Sequence, residues 1–367
     1  MRQGIRRAVF CALVGLVALV GARPSLAQVA APVGAPATPA ANIEPPEPRG
    51  WRNHIFPFVE NVTFLVLLNA IDRVIFPPLR EDGKLVFSVT PTTAWDHLRQ
   101  QRWVLDKDPF NVNQFGHPYQ GSIMYGLARS SGHGFWSSAA HANVGSFLWE
   151  VAGETSPTSL NDLLTTGQAG SLLGEALYRM ADLVLKDVRP DAPPRKNEYM
   201  AMLISPPGGL NRRVFGQRFK ARLPDTAPAT QWNVSFGATT DALAEDFDSP
   251  VTLLRRDAIA EFAMAYGLPG QPAYEYTRPL DYFDFQFSFL SSAKNPIENV
   301  LIRGLLAGKK TRESATMSGI WGLYGSYDYI SPYLFRVSST ALSIGTTRQY
   351  WLGRNLDLQG TLLGGVG

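Results

Sequence analysis

The sequence predicts an α+β chain, with a helical segment first and an antiparallel β-barrel of the outer-membrane type after it. Three observations carry this. Between residues 58 and 186 the apolar residues recur every three to four positions, with prolines and capping residues marking the ends of helices. Beyond Arg212 the period becomes two. There Phe283, Phe285, Phe287 and Phe289 alternate with Tyr282, Asp284, Gln286 and Ser288, so one face of a strand is wholly aromatic. The chain also opens on a leader pattern: Arg2, Arg6 and Arg7, an uncharged apolar run over 9–21, and Ser25-Leu26-Ala27, the small residues a signal peptidase reads.

These features divide the chain into a signal peptide (1–27), a disordered Ala/Pro linker (28–50), a helical domain (51–195) and barrel strands (196–367). The linker has almost no large apolar residue and cannot bury a core, so it should be dispensable for folding. Helices are expected over 58–75, ended by Pro77-Pro78, and over 95–104, with a short strand over 85–90 between them. Pro118 disfavours helix at the residue before it, which places His117 at a helix entrance and a helix over 119–129. Ser131-Gly132-His133-Gly134 breaks that helix, and the next spans 135–151. Ser159 with Asp162 three residues on is a capping pattern for a long helix over 160–186, stopped by Pro190, Pro193 and Pro194.

Strands are expected over 214–223, 232–240, 252–266, 282–289, 300–308, 320–329 and 356–366, seven or eight in all. Segments of this length with turn residues between them fit a spanning barrel, and a soluble antiparallel sandwich is the alternative. The four-phenylalanine face favours lipid as its partner. The sequence stops inside the last strand pattern, so further strands are expected beyond Gly367 if the barrel reading holds. No mature helix is expected to span a membrane, because Asn69, Asp72 and Arg73 interrupt the longest apolar run, 62–76. The expected location is the outer membrane, with the periplasm as the alternative.

Charge and cysteine content exclude several classes. Removing the leader's four arginines turns the formal +3 into about −1, which gives no basis for nucleic-acid binding. Cys11, the one cysteine, lies inside the leader, so no disulfide and no lipid anchor on cysteine is expected. No GxSxG, GxGxxG or HExxH motif is present, and GLLAGKKT over 304–311 is one residue short of a phosphate loop. No cofactor is expected.

The polar residues of the helices fall on stripes. Asn143, Ser146, Glu150 and Glu154 share one face, and His141 lies half a turn away from Glu150. Gln168, Ser171, Glu175 and Arg179 share another, with Glu175 and Arg179 spaced for an i,i+4 ion pair. Gly170 and Gly174 form a notch where a second backbone can approach. The expected role is that of a non-enzymatic barrel with a helical plug or periplasmic domain; the alternative is an envelope hydrolase or transferase acting on lipid or glycan, with His117, Glu150 and Glu154 as the candidate catalytic acid/base set. Arg129, Glu175 and Arg179 would complete a Glu/His/Arg cluster, whose plainer reading is a buried polar network. On either reading Glu150 and Glu154 should be buried and paired with Arg129, Arg179 or His117, and removing the Glu150 carboxyl should cost a few kcal/mol. A metal held by His117, Glu150 and Glu154 lacks the ligand spacing such sites use, and none is expected. His133, between two glycines, reads as a turn residue, and His54 and His97 lie in no motif.

The pieces WVLDKDPF, NQFGHPYQGS, YGLARSSG, FWSSAA, GSFLWEVAGE, SLNDLL and GEALYRM, in order over 103–180, resemble the signature of uncharacterised bacterial envelope proteins defined by domain of unknown function 3943. The resemblance implies a helical segment followed by barrel-like strands and carries no activity with it. The positions it singles out are His117, Tyr119, Gly121, Arg129, Trp149, Glu150, Glu154, Asp162, Glu175 and Arg179. Thr158 departs from the proline expected before the capping serine.

Overall fold

A computed structural model describes residues 52–75, 85–100, 103–185, 196–215, 228–243, 253–271, 274–291, 296–332, 335–353 and 356–367. The expected leader and linker lie outside the described residues, as does most of the expected strand over 214–223.

The helical layer holds α1 (Arg52–Ile75), α2 (Pro91–Gln100), α3 (His117–Ser130), α4 (Phe135–Ala152), α5 (Leu160–Leu164), α6 (Gly170–Leu185), α7 (Lys196–Ile204) and α8 (Pro206–Phe215). Five-residue π-helical turns, Val112–Gly116 and Thr165–Ala169, lead into α3 and α6. α3 is the central helix, packed against α4, α6 and α8. Pro118 sits in its first turn, where a missing N–H costs nothing. The Ser159 hydroxyl accepts the Asp162 N–H and caps α5, as the sequence pattern implied. Three expectations shift. The helical part continues to Phe215, so helix replaces the start of the strand expected over 214–223. Residues 85–90 form a turn rather than a strand. α1 begins before Pro57 and carries that proline inside it.

The sheet has seven strands in sequence order, all neighbours antiparallel: β1 (Thr230–Leu243), β2 (Leu253–Tyr266), β3 (Phe283–Leu290), β4 (Ile297–Lys310), β5 (Met317–Ile330), β6 (Val337–Gly353) and β7 (Leu356–Val366). Among the described residues β1 and β7 are edges and do not pair with each other, so the sheet is a curled half-barrel and not a closed one. β6 has no counterpart among the expected strands.

The two sheet faces differ in chemistry. On one, the register lines up Met264, Phe285, Ile302 and Tyr327, which are buried together with Met124, Tyr125 and Leu172 of the helical layer. Phe283 is in the same core, and Phe287 packs against it. The phenylalanine face expected to meet lipid is therefore covered by helices, because α3 and α6 supply an apolar partner of their own. The other face holds Tyr282, Leu305, Ile320 and Tyr324 with Tyr274 and Tyr276 of the β2–β3 connection. There Gln359 of β7 donates to the Tyr282 hydroxyl at 3.1 Å. The four strand spacings from β3 to β7 span roughly 19 Å in a flat sheet, so this contact requires this face to be concave.

Candidate functional site

The polar stripes do not merge into one cluster; they build two separate centres, and three histidines form a third group. The first centre is fully buried between α3, α6 and the β2–β3 connection. Glu175 is one turn before Arg179 on α6, and the Arg179 Nε donates to its Oε1 at 2.8 Å. From α3, the Arg129 Nε and the Tyr125 hydroxyl donate to Oε2 at 2.8 and 2.7 Å. Arg179 also donates to Asp281 Oδ1 at 3.0 Å and to the Pro279 carbonyl at 2.8 Å. Burial alone would raise the Glu175 pKa, but Arg129 and Arg179 outweigh it and hold the carboxyl near 2. The expected i,i+4 pair is present, and Glu175, Arg129, Arg179 and Asp281 form a buried network in which each charge faces an opposite one. Asp281 and Tyr125 complete it without a mark in the sequence, since nothing local announces partners 102 and 50 residues away.

The second centre lies where α3, α4 and α5 meet the 106–114 segment. His117 Nδ1 is 3.1 Å from Thr166 Oγ1, and its Nε2 is 3.7 Å from Asp162 Oδ2. Asp162 shares a hydrogen bond with Asp106, which also accepts from Asn161 and Asn113. Burial, then the bond to Asp106, pushes Asp162 up to about 9, so Asp162 holds the shared proton and Asp106 stays ionised. Burial also lowers His117 to about 4, which leaves a neutral imidazole. Glu150 is buried and accepts the Ser159 N–H at 2.6 Å, and Glu154 accepts from Trp149 Nε1 and Ser156 Oγ.

The structure thus corrects the expected pairing. Neither Glu150 nor Glu154 has an arginine or His117 as partner among the described residues; their partners are a backbone amide, an indole and a hydroxyl. The acid/base set His117, Glu150 and Glu154 does not assemble, and His117 turns to Asp162 and Thr166 instead. Without a cation nearby, burial pushes Glu150 up to about 8, so it is protonated at neutral pH. That reverses the expected cost of removing its charge. The folded chain keeps a proton here that the unfolded chain releases above about pH 4.5, so stability should fall as pH rises from about 5 to 8. Glu150→Gln, which still accepts from Ser159, should stabilise by roughly 2 kcal/mol at pH 8 and leave pH 5 unchanged. Thermal unfolding across that range checks it; an equal loss of stability at both pH values would refute the protonated assignment.

Residues 102–207 match the model of a family described as Domain of unknown function (DUF3943). This stretch, which includes the motifs quoted above, carries a domain of that family. It takes in α3 to α7, the second polar centre and the helical residues of the first, and leaves out α1, Asp281 and the sheet. No curated protein and no solved structure matches the chain.

Proposed function

We propose that this chain is an outer-membrane protein of the bacterial envelope with an architectural, non-enzymatic role, its half-barrel and α1 turned to lipid and its helical layer a scaffold. The observation that carries this reading is the exposed part of the convex sheet face. The helices cover that face on β2 to β4 and on part of β5, and the Thr165–Ala169 turn reaches β6, but Trp321 and Leu323 of β5 and most of β6 and β7 lie open. On β6 and β7, Leu342, Ile344, Leu358, Leu362 and Val366 project from it and are exposed, Leu362 at 76%. Between them, Thr347, Gln359 and Thr361 point to the concave side, where Thr347 bonds Tyr324 and Thr361. Apolar-out, polar-in alternation with strands of 11 to 17 residues over β4 to β7 suits a membrane wall, which needs about 9–11 residues per strand.

α1 supports the same reading from the helical side. Both of its asparagines turn inward: Asn61 is buried, and Asn69 donates to the carbonyls of Phe87 and Gly153. Its outward stripe is Ile55, Phe58, Val59, Val62, Val66, Ile71 and Val74, all exposed. A helix on a water-facing surface has the opposite arrangement. By length and composition Asn53–Ile75 is apolar enough to cross a membrane. In hydrocarbon the outer edges of β1 and β7 would also have to find backbone partners.

The mature sequence has no cysteine, so single cysteines can be placed at will. An environment-sensitive fluorophore on Ile344→Cys, Leu358→Cys or Leu362→Cys, in chain reconstituted into phospholipid vesicles, should be quenched by spin-labelled lipid. The same label on Gln359→Cys or Thr361→Cys should not. Equal quenching in the two sets, or recovery of the natural protein in the soluble periplasmic fraction, would overturn the proposal.

A further inference from the structure

The third polar group is made of His54 in the first turn of α1, His133 in the α3–α4 turn and His141 on α4. One nitrogen of each lies within 4.8 Å of the other two. His54 Nδ1 and His141 Nε2 face each other at 3.3 Å. The ring centroids are 4.5, 5.5 and 5.4 Å apart. We propose that these three imidazoles form a binding site for a single divalent transition-metal ion of the zinc class.

The distances suit that ion. Zinc bonds imidazole nitrogen at about 2.0–2.1 Å in tetrahedral geometry, which sets neighbouring donor atoms roughly 3.3–3.4 Å apart. The His54–His141 edge already has that length, and the remaining edges need to close by at most about 1.5 Å to reach it. Three neutral nitrogen donors select zinc, copper or nickel over the oxygen-seeking magnesium and calcium.

The surroundings hold the donors in place. His133 and His141 are buried, and His54 is the least buried of the three. The Asn53 carbonyl, 3.3 Å from His133 Nε2, can only accept, which fixes the proton there and leaves the lone pair on Nδ1. Nδ1 is 3.1 Å from Ser137 Oγ, a hydroxyl free to rotate away. Arg129 holds the backbone carbonyl of His133 at 2.8 Å, so the buried charge network anchors the turn that presents this ligand. Such outer partners orient metal-bound histidines. Three protein ligands leave a fourth position for water on the side of His54. The ion would fasten the first turn of α1 to α3 and α4.

This inference rests on the histidine geometry and is independent of whether the sheet meets lipid. The test uses the full mature chain without a polyhistidine tag, stripped with chelator, dialysed against zinc and assayed by elemental analysis. One zinc per chain is expected, with cobalt giving the visible bands of a tetrahedral site. His54→Ala and His141→Ala should each weaken zinc binding about 100-fold or more. His97→Ala, whose ring instead meets the Val151 carbonyl, should leave it unchanged. Should His141→Ala fail to fold, His54→Ala decides alone, being at the open side. Uptake well below one zinc per chain, or full uptake by folded His54→Ala, overturns the proposal.

Discussion

Glu175→Ala should lower the stability of the fold by about 3–5 kcal/mol, the cost of removing one partner from a buried ion pair. The reason lies in what stays behind. Arg179 keeps Asp281 and the Pro279 carbonyl, and Arg129 keeps the His133 carbonyl, but a positive charge between them loses its carboxylate in a site closed to water. Glu175→Gln tests the charge apart from the shape, because the amide fills the same space but opposes neither guanidinium. Its effect also depends on pH in a defined direction. The carboxyl is held near 2 in the folded state, so its contribution is complete above about pH 4.5 and disappears as pH falls toward 2. Urea unfolding of wild type and Glu175→Gln in detergent should therefore differ most at neutral pH and converge in acid. The Glu150 effect runs the other way, which separates the two. A double variant, Glu175→Leu with Arg129→Met, should recover part of the loss, since an apolar replacement of a buried pair leaves no charge stranded. Loss of under 1 kcal/mol in Glu175→Ala would mean that water reaches the network.

How far the sequence anticipated this architecture depends on the range of the signal. The helices α3, α4 and α6 are legible because their apolar period, prolines and caps are local. The Glu175–Arg179 pair is legible for the same reason, being one turn apart. The π-helical turns before α3 and α6 have no compositional mark. α8 has no such local mark, because Pro206-Pro207 and Gly208-Gly209 are turn-forming residue types although Pro206 occupies the helix's first position, where proline is tolerated. β6 was overlooked because Ser338, Ser339, Thr340, Thr346 and Thr347 thin its apolar alternation to Leu342 and Ile344. Alternation separates two faces of a sheet but does not say which one the helices take, so the phenylalanine face was assigned to lipid. The three histidines are the extreme case. His54 is seventy-nine positions before His133, no spacing rule joins them, and only the docking of α1 brings them together.

Gly121→Ala should destabilise by about 3 kcal/mol, at the upper end for an added methyl in a packed core. The notch read at Gly170 and Gly174 is where α3 crosses α6, and Gly121 is its counterpart on α3. A Cβ on Gly121 would lie 1.8 Å from the Thr166 carbonyl oxygen and 3.1 Å from the Gly170 Cα, and one on Gly170 would lie 2.7 Å from the Gly121 Cα. Every atom in the way is backbone, so no rotamer change can make room. In an open helix the same substitution would gain up to about 1 kcal/mol in propensity, so the sign alone tells whether the crossing is as tight as described. Driving α3 from α6 would also pull Thr166 from His117 and Tyr125 from Glu175, so both polar centres should loosen together. Gly360→Ala on β7 is the control. Nothing lies within 4 Å of its added carbon, and its stability should stay within about 0.5 kcal/mol of wild type. Denaturant midpoints of the two variants, measured side by side, decide the matter. A stabilising Gly121→Ala would show that the helices stand further apart and that the π-helical turn at Thr165–Ala169 does not press its carbonyl against α3.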